Sequence, residues 1–98
     1  MALMIPTHNP ETGAPTGYYD LTAAVRYRPM GDKYAAPGQW LELHYTRQGR
    51  WALFQGSEWQ GTRDGATYLT ADAARDWLTS DYGGYTQAHA DEIIRAHA

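Results

Sequence analysis

The chain has no cysteine, which excludes disulfide staples, a thiolate nucleophile and Cys-based zinc or iron–sulfur sites. Leu, Ile, Val and Phe are scarce as well, at twelve of 98 residues, a fraction that taken alone would suit a disordered chain. No window approaches the run of about eighteen apolar residues that a membrane span needs. Residues 1–6 lack the basic start and longer apolar stretch of a signal peptide. A cytoplasmic protein is the expectation, and no internal repeat or block of like charge qualifies it.

What is present is aromatic and polar at once. Four Trp and eight Tyr stand beside one Phe, so twelve of thirteen aromatic rings carry an N–H or O–H that needs a partner or water. Such rings suit a small core that opens onto a binding face. A chain of this length forms one domain and buries about 60 to 70 per cent of its unfolded surface. Charge is uneven along it. Arg and Lys exceed Asp and Glu by one in residues 1–50, whereas acids exceed bases by four in residues 51–98, for a net charge of −3. That balance disfavours nonspecific nucleic-acid binding over the whole surface, because phosphate affinity is built from Lys and Arg contacts.

Residues 1–17 hold Pro6, Pro10 and Pro15 among Thr, Asn and Gly, show no periodicity, and are expected to form a flexible arm ahead of a domain over 18–98. From Tyr19 to Arg28 the pattern alternates, with Tyr19, Leu21, Ala23, Val25 and Tyr27 on one side, which predicts a half-buried strand ended by Pro29. A loop over 29–38 follows, long enough to be a functional candidate. Residues 39–58 predict a hairpin. A three-residue turn, Arg47-Gln48-Gly49 with Gly49 left-handed, pairs Tyr45 with Trp51, Leu43 with Leu53 and Leu41 with Gln55. It collects one apolar face and avoids facing Arg47 with Arg50. The other face then carries Trp40, Glu42, His44, Ala52 and Phe54.

Asp64-Gly65 signals a second hairpin into a strand over 66–69, with Gly56 and Gly61 as bulges or bends. Thr70 is placed to cap a helix with Asp72 in its first turn and an apolar stripe of Ala74, Trp77 and Leu78. Thr86 is placed to cap a second, on which Ala90, Ile93, Ile94 and His97 share a face. Together these elements predict an α+β fold: an antiparallel meander of about four strands with one helix on one face and a C-terminal helix docking on the domain or, through Ile93 and Ile94, on a second copy.

Catalytic patterns are missing. His89 and His97 are eight apart on the terminal helix without a ligating pair at i, i+4, and surface histidines are the plainer reading. Ser57 and Ser80 are the only serines, and neither lies in G-x-S-x-G. Asp72 and Asp76 share a helix face, where a carboxylate pair is ordinarily solvated. Gly56 and Gly61 have phosphate-loop spacing, but Thr62-Arg63 stands where that loop needs Lys and Ser or Thr. The expectation is a non-enzymatic protein with no cofactor and no metal.

Two binding surfaces remain as candidates. Trp40, Glu42, His44 and Phe54 on the outer hairpin face, with Trp59 and Arg63 near the second turn, match the Trp, Tyr and Arg usage of protein–protein hot spots. Arg26, Tyr27, Arg28, Tyr34, Arg47 and Arg50 interleave cations with rings, as single-stranded nucleic-acid platforms do. The net negative charge favours the protein partner.

Residues 43–53, with Trp59-Gln60-Gly61, Tyr68-Leu69-Thr70 and Ala74-Arg75-Asp76-Trp77-Leu78, show a layout similar to that of small accessory proteins of phages and plasmids. Anti-CRISPR and other anti-defence inhibitors are drawn from that pool. The resemblance spans about residues 41–78, implies stoichiometric inhibition of a protein partner, and assigns no site residue.

Overall fold

A computed structural model describes residues 4–29, 39–57 and 65–98. The elements run β1 (Met4–His8), β2 (Pro15–Asp20), a 3-10 turn (Leu21–Ala23), β3 (Val25–Tyr27), β4 (Gln39–Tyr45), β5 (Trp51–Ser57), β6 (Gly65–Leu69), α1 (Ala71–Thr79) and α2 (Gln87–Ala96). The strands form one mixed sheet in the order β2-β1-β6-β5-β4-β3, antiparallel except where β1 runs parallel to β6. The fold is therefore α+β, but the four-strand antiparallel meander is corrected to six strands with a parallel pair inside.

Residues 4–17 supply β1 and the start of β2 rather than an arm. Ile5 and Thr7 of β1 are buried. Asn9 organises the turn between β1 and β2: its Oδ1 accepts from the N–H groups of Glu11 and Thr12, and Gly13 takes a positive φ of 74°. The prolines hid this hairpin, since a residue without an N–H argues against a central strand.

The expected single strand over 19–28 is also broken in two. The Asp20 side chain accepts from both the N–H and the hydroxyl of Thr22, at 2.9 and 2.6 Å, and this local bonding starts the 3-10 turn. The break changes the facing of β3. Tyr19 and Leu21 point into one core, whereas Tyr27 packs against the other.

The sheet curls strongly. Three strands lie between β2 and β4, so a flat sheet would hold them about 19 Å apart. Yet the Tyr19 hydroxyl on β2 lies 2.5 Å from Nδ1 of His44 on β4. The four residues joining β2 to β3 at opposite ends of the sheet enforce the same closure. The concave side encloses Ile5, Tyr19, Leu21, Ala52, Phe54 and Ala66.

The other side carries the helices. Leu43 and Trp51 pack with Ala74, Trp77 and Leu78 of α1 and with Ala90 and Ile93 of α2. The β4–β5 hairpin has the predicted register, Tyr45 to Trp51, Leu43 to Leu53 and Leu41 to Gln55, with Gly49 at φ 83° and Thr46 donating its N–H to the Arg50 carbonyl at 2.8 Å. Gly56 pairs regularly with Trp40 and makes no bulge. Both predicted caps form: the hydroxyls of Thr70 and Thr86 accept from Ala73 and His89 N–H. Ile93 is buried against its own chain and Ile94 partly so, which places the terminal helix on this domain and leaves the Ile93 face covered without a second copy. The Asp64 turn, Gly61 and the loop segment 30–38 lie outside the described residues.

Candidate functional site

Alternation along β4 turns Glu42 and His44 to the concave side, and β3 brings Arg26 directly opposite His44. Arg26 reaches diagonally to Glu42 and grips it with two parallel hydrogen bonds, Nε to Oε1 and Nη2 to Oε2, both 2.9 Å. Arg28 approaches the same carboxylate at 3.7 Å. His44 Nε2 lies 2.9 Å from Glu42 Oε1, and its Nδ1 faces the Tyr19 hydroxyl.

The protons in this chain can be assigned from its ends. Burial alone would raise the Glu42 carboxyl, but hydrogen bonds from His44 and Arg26 and the charge of Arg26 hold it below the usual carboxylate value. It is therefore an ionised acceptor, and His44 Nε2 must carry the hydrogen that points to it. Burial drives the imidazole below its ordinary value despite the pull of Glu42, so Nδ1 is a bare lone pair. Burial, with smaller effects of Tyr68 and Glu42, pushes the Tyr19 phenol well above its ordinary value, which leaves its hydroxyl protonated and donating to Nδ1. Tyr19, His44 and Glu42 thus each have their hydrogen-bond partners.

That satisfaction limits its chemistry. His44 is fully buried, and Tyr19 is 1% exposed. No substrate reaches the imidazole, and both ring nitrogens are engaged. The cluster locks β2, β4 and β3 together across the concave side. Among the described residues, no group of three or more His, Asp or Glu is placed to hold a metal ion.

The structure separates the residues chosen from sequence. Of the expected outer hairpin face, His44 and Phe54 are buried in the concave core, stacked at 5.4 Å, and Glu42 is engaged by three side chains. That face is not open, because the β1–β2 hairpin curls over it. The backbone of Trp40 lies in β4, while its side chain, Trp59 and Arg63 lie outside the described residues. Of the basic and aromatic set, Arg26 and Arg28 are turned to Glu42, and Tyr27 packs against the helical layer. Arg50 lies over the Tyr68 ring at 3.5 Å, and Arg47 is exposed in the turn. Tyr34 lies outside the described residues. No cation–ring platform is assembled from the described members, because alternate strand faces carry its rings and its cations.

An open surface exists elsewhere. On β1 and β2 the residues opposite to Ile5 and Tyr19 face outward, and α1 packs on β5 and β6. Tyr18 is 68% exposed and pairs across the strands with Pro6; Met4, one step along β1, is 51% exposed. The adjoining edge of β2 begins with Pro15, which has no N–H to offer a further strand, and Gly17 takes φ 138°. Sequence reasoning missed these three residues because they sat in or beside the expected arm. The available signal was the alternation of Met4, Pro6 and His8 with Ile5 and Thr7.

Comparison with protein-family models, curated proteins and solved structures finds no match to this chain. Among the described residues, no helix is long and apolar enough to cross a membrane.

Proposed function

We propose that this chain is a non-catalytic binding protein that engages a protein partner stoichiometrically through the outer face of the β1–β2 hairpin. The observation that carries this reading is the exposure of Tyr18 beside Met4 and Pro6. A large aromatic held on a sheet beside Pro6 and Met4 and left in water suits an interface anchor. The engagement of Arg26 and Arg28 with Glu42 supports a protein rather than a nucleic-acid partner, since phosphate binding would compete with that carboxylate. An inhibitor or adaptor from a mobile element is the form of this reading that the residue resemblance suggests.

Affinity capture from the source cells tests it, with wild type and Tyr18→Ala as paired baits and nuclease treatment in parallel. The expected result is one protein retained in stoichiometric amount by wild type, lost with Tyr18→Ala at an unchanged melting temperature, and indifferent to nuclease. Retention that disappears with nuclease and falls steeply as salt rises would replace the reading with nucleic-acid binding.

A further inference from the structure

On the helical side of the sheet, three rings from three adjacent strands surround one side chain. Tyr27 of β3, Tyr45 of β4 and Trp51 of β5 all contact the imidazole of His97, the residue that caps the C-terminal end of α2. His97 stacks on Tyr45 at 4.1 Å and 26°, and meets Trp51 edge-on at 5.4 Å and 85° and Tyr27 at 6.0 Å and 78°. Tyr45 and Trp51 are themselves 4.8 Å apart at 63°. Tyr27 lies 6.1 Å from Trp51 at 38°, so one wall stands steeply to Trp51 and the other is tilted, and Trp51 is the buried floor. Tyr27, Tyr45 and His97 are half-buried, so the box opens to solvent where His97 sits.

Two features mark the box as a place for positive charge. The faces of Tyr and Trp rings are electron-rich and attract cations. The C-terminal end of α2 also lies there: the His97 N–H caps the Arg95 and Ile94 carbonyls, and the Tyr45 hydroxyl donates to the His97 carbonyl at 3.1 Å. This is the negative end of the helix dipole.

α2 has anchors besides the imidazole. Ala90 and Ile93 bury that helix against α1 and the sheet, and Arg75 pairs with Asp91 between the two helices. Beyond the packing, the His97 side chain has one hydrogen bond, between Nε2 and the Tyr27 hydroxyl at 2.6 Å. Emptying the box requires rotation of that side chain and loss of its bond to Tyr27.

We propose that Tyr27, Tyr45 and Trp51 form an aromatic cage for an alkylated ammonium group, with His97 as its resident and displaceable occupant. The ligand class covers a methylated lysine side chain and a free quaternary ammonium compound. This site lies on the helical side of the sheet and stands independently of the partner surface at Tyr18. Because the occupied box must open first, apparent affinity is reduced by the fraction of molecules in which His97 is out.

The test is an NMR titration of wild type and His97→Ala with tetramethylammonium chloride, against sodium chloride at equal ionic strength. His97→Ala is expected to give saturable shifts at the Tyr45 and Trp51 ring resonances, at concentrations about tenfold below those wild type requires. Adding Tyr45→Leu should abolish them. A trimethyllysine peptide that binds more tightly than tetramethylammonium assigns the source to a protein side chain, and equal binding assigns it to a free compound. Absence of a saturable shift in folded His97→Ala overturns the proposal. Should His97→Ala fail to fold, the wild-type titration read at the His97 ring resonances decides. Loss of their ring-current shifts supports displacement, and unchanged resonances to the solubility limit of the salt overturn it.

Discussion

Tyr19 places a hydroxyl in the middle of an apolar cluster, and His44 is the reason it can be there. Tyr19→Phe removes the donor but leaves Nδ1 of His44 buried and unpaired, at an expected cost of about 1–3 kcal/mol. Urea midpoints of the two proteins measure it, and equal midpoints would remove the proton assignment in the Tyr19–His44–Glu42 chain. The same chain sets an acid response. His44 is held below its ordinary value of 6.5 in the fold, so its contribution is complete above pH 6.5 and is lost as pH falls from there toward its folded value. Glu42, also held low, adds a second loss as pH falls through its own folded value. The melting temperature should therefore decline on acidification, and His44→Gln should flatten the first stage of that decline. A wild-type melting temperature unchanged from pH 7 to pH 5 contradicts this account. Only one partner was local at residue 44: Glu42, two residues away on the same strand. Tyr19 lies 25 residues upstream and Arg26 faces His44 from a third strand, so sequence places His44 correctly on the face of Glu42 and Phe54 but cannot tell that the face is closed.

Elements set by neighbouring residues were legible, and those set by distant pairing were not. Gln48-Gly49 specifies the β4–β5 turn locally, and the register comes from matching Leu43 with Leu53. Thr70 and Thr86 specify the helix starts in the same way. Replacing either by Ala should cost about 1 kcal/mol, read from denaturant midpoints. A sharper element-level effect is expected at Gly83. A Cβ there would collide with the Trp77 carbonyl oxygen and lie 2.5 Å from that of Leu78. Gly83→Ala must therefore displace the end of α1 and should lower stability by about 1–3 kcal/mol, whereas the neighbouring exposed Thr79→Ala should have a far smaller effect. By contrast, the parallel pairing of Thr7 with Ala66 joins segments almost sixty residues apart, and no local pattern announces it.

At the scale of the whole molecule, that pairing makes Met4–His8 part of the sheet interior. Removing residues 1–8 takes out the strand between β2 and β6 and uncovers Tyr19, Phe54 and Ala66. A cooperative thermal transition should be lost, whereas a flexible arm could be removed without effect; differential scanning calorimetry distinguishes the two. The curl also decides which surface is left for function. It draws His44 and Phe54 inside, commits Arg26 and Arg28 to Glu42, and turns Tyr18, Pro6 and Met4 outward. The proposed function requires this outward hairpin face to meet a protein. Photo-cross-linking in the source cells tests it most directly, with p-benzoylphenylalanine placed at Tyr18 and, separately, at Arg47. Position 18 should yield a single protein adduct of defined mass, and position 47 none. A nucleic-acid adduct from position 47 with none from position 18 would contradict the claim.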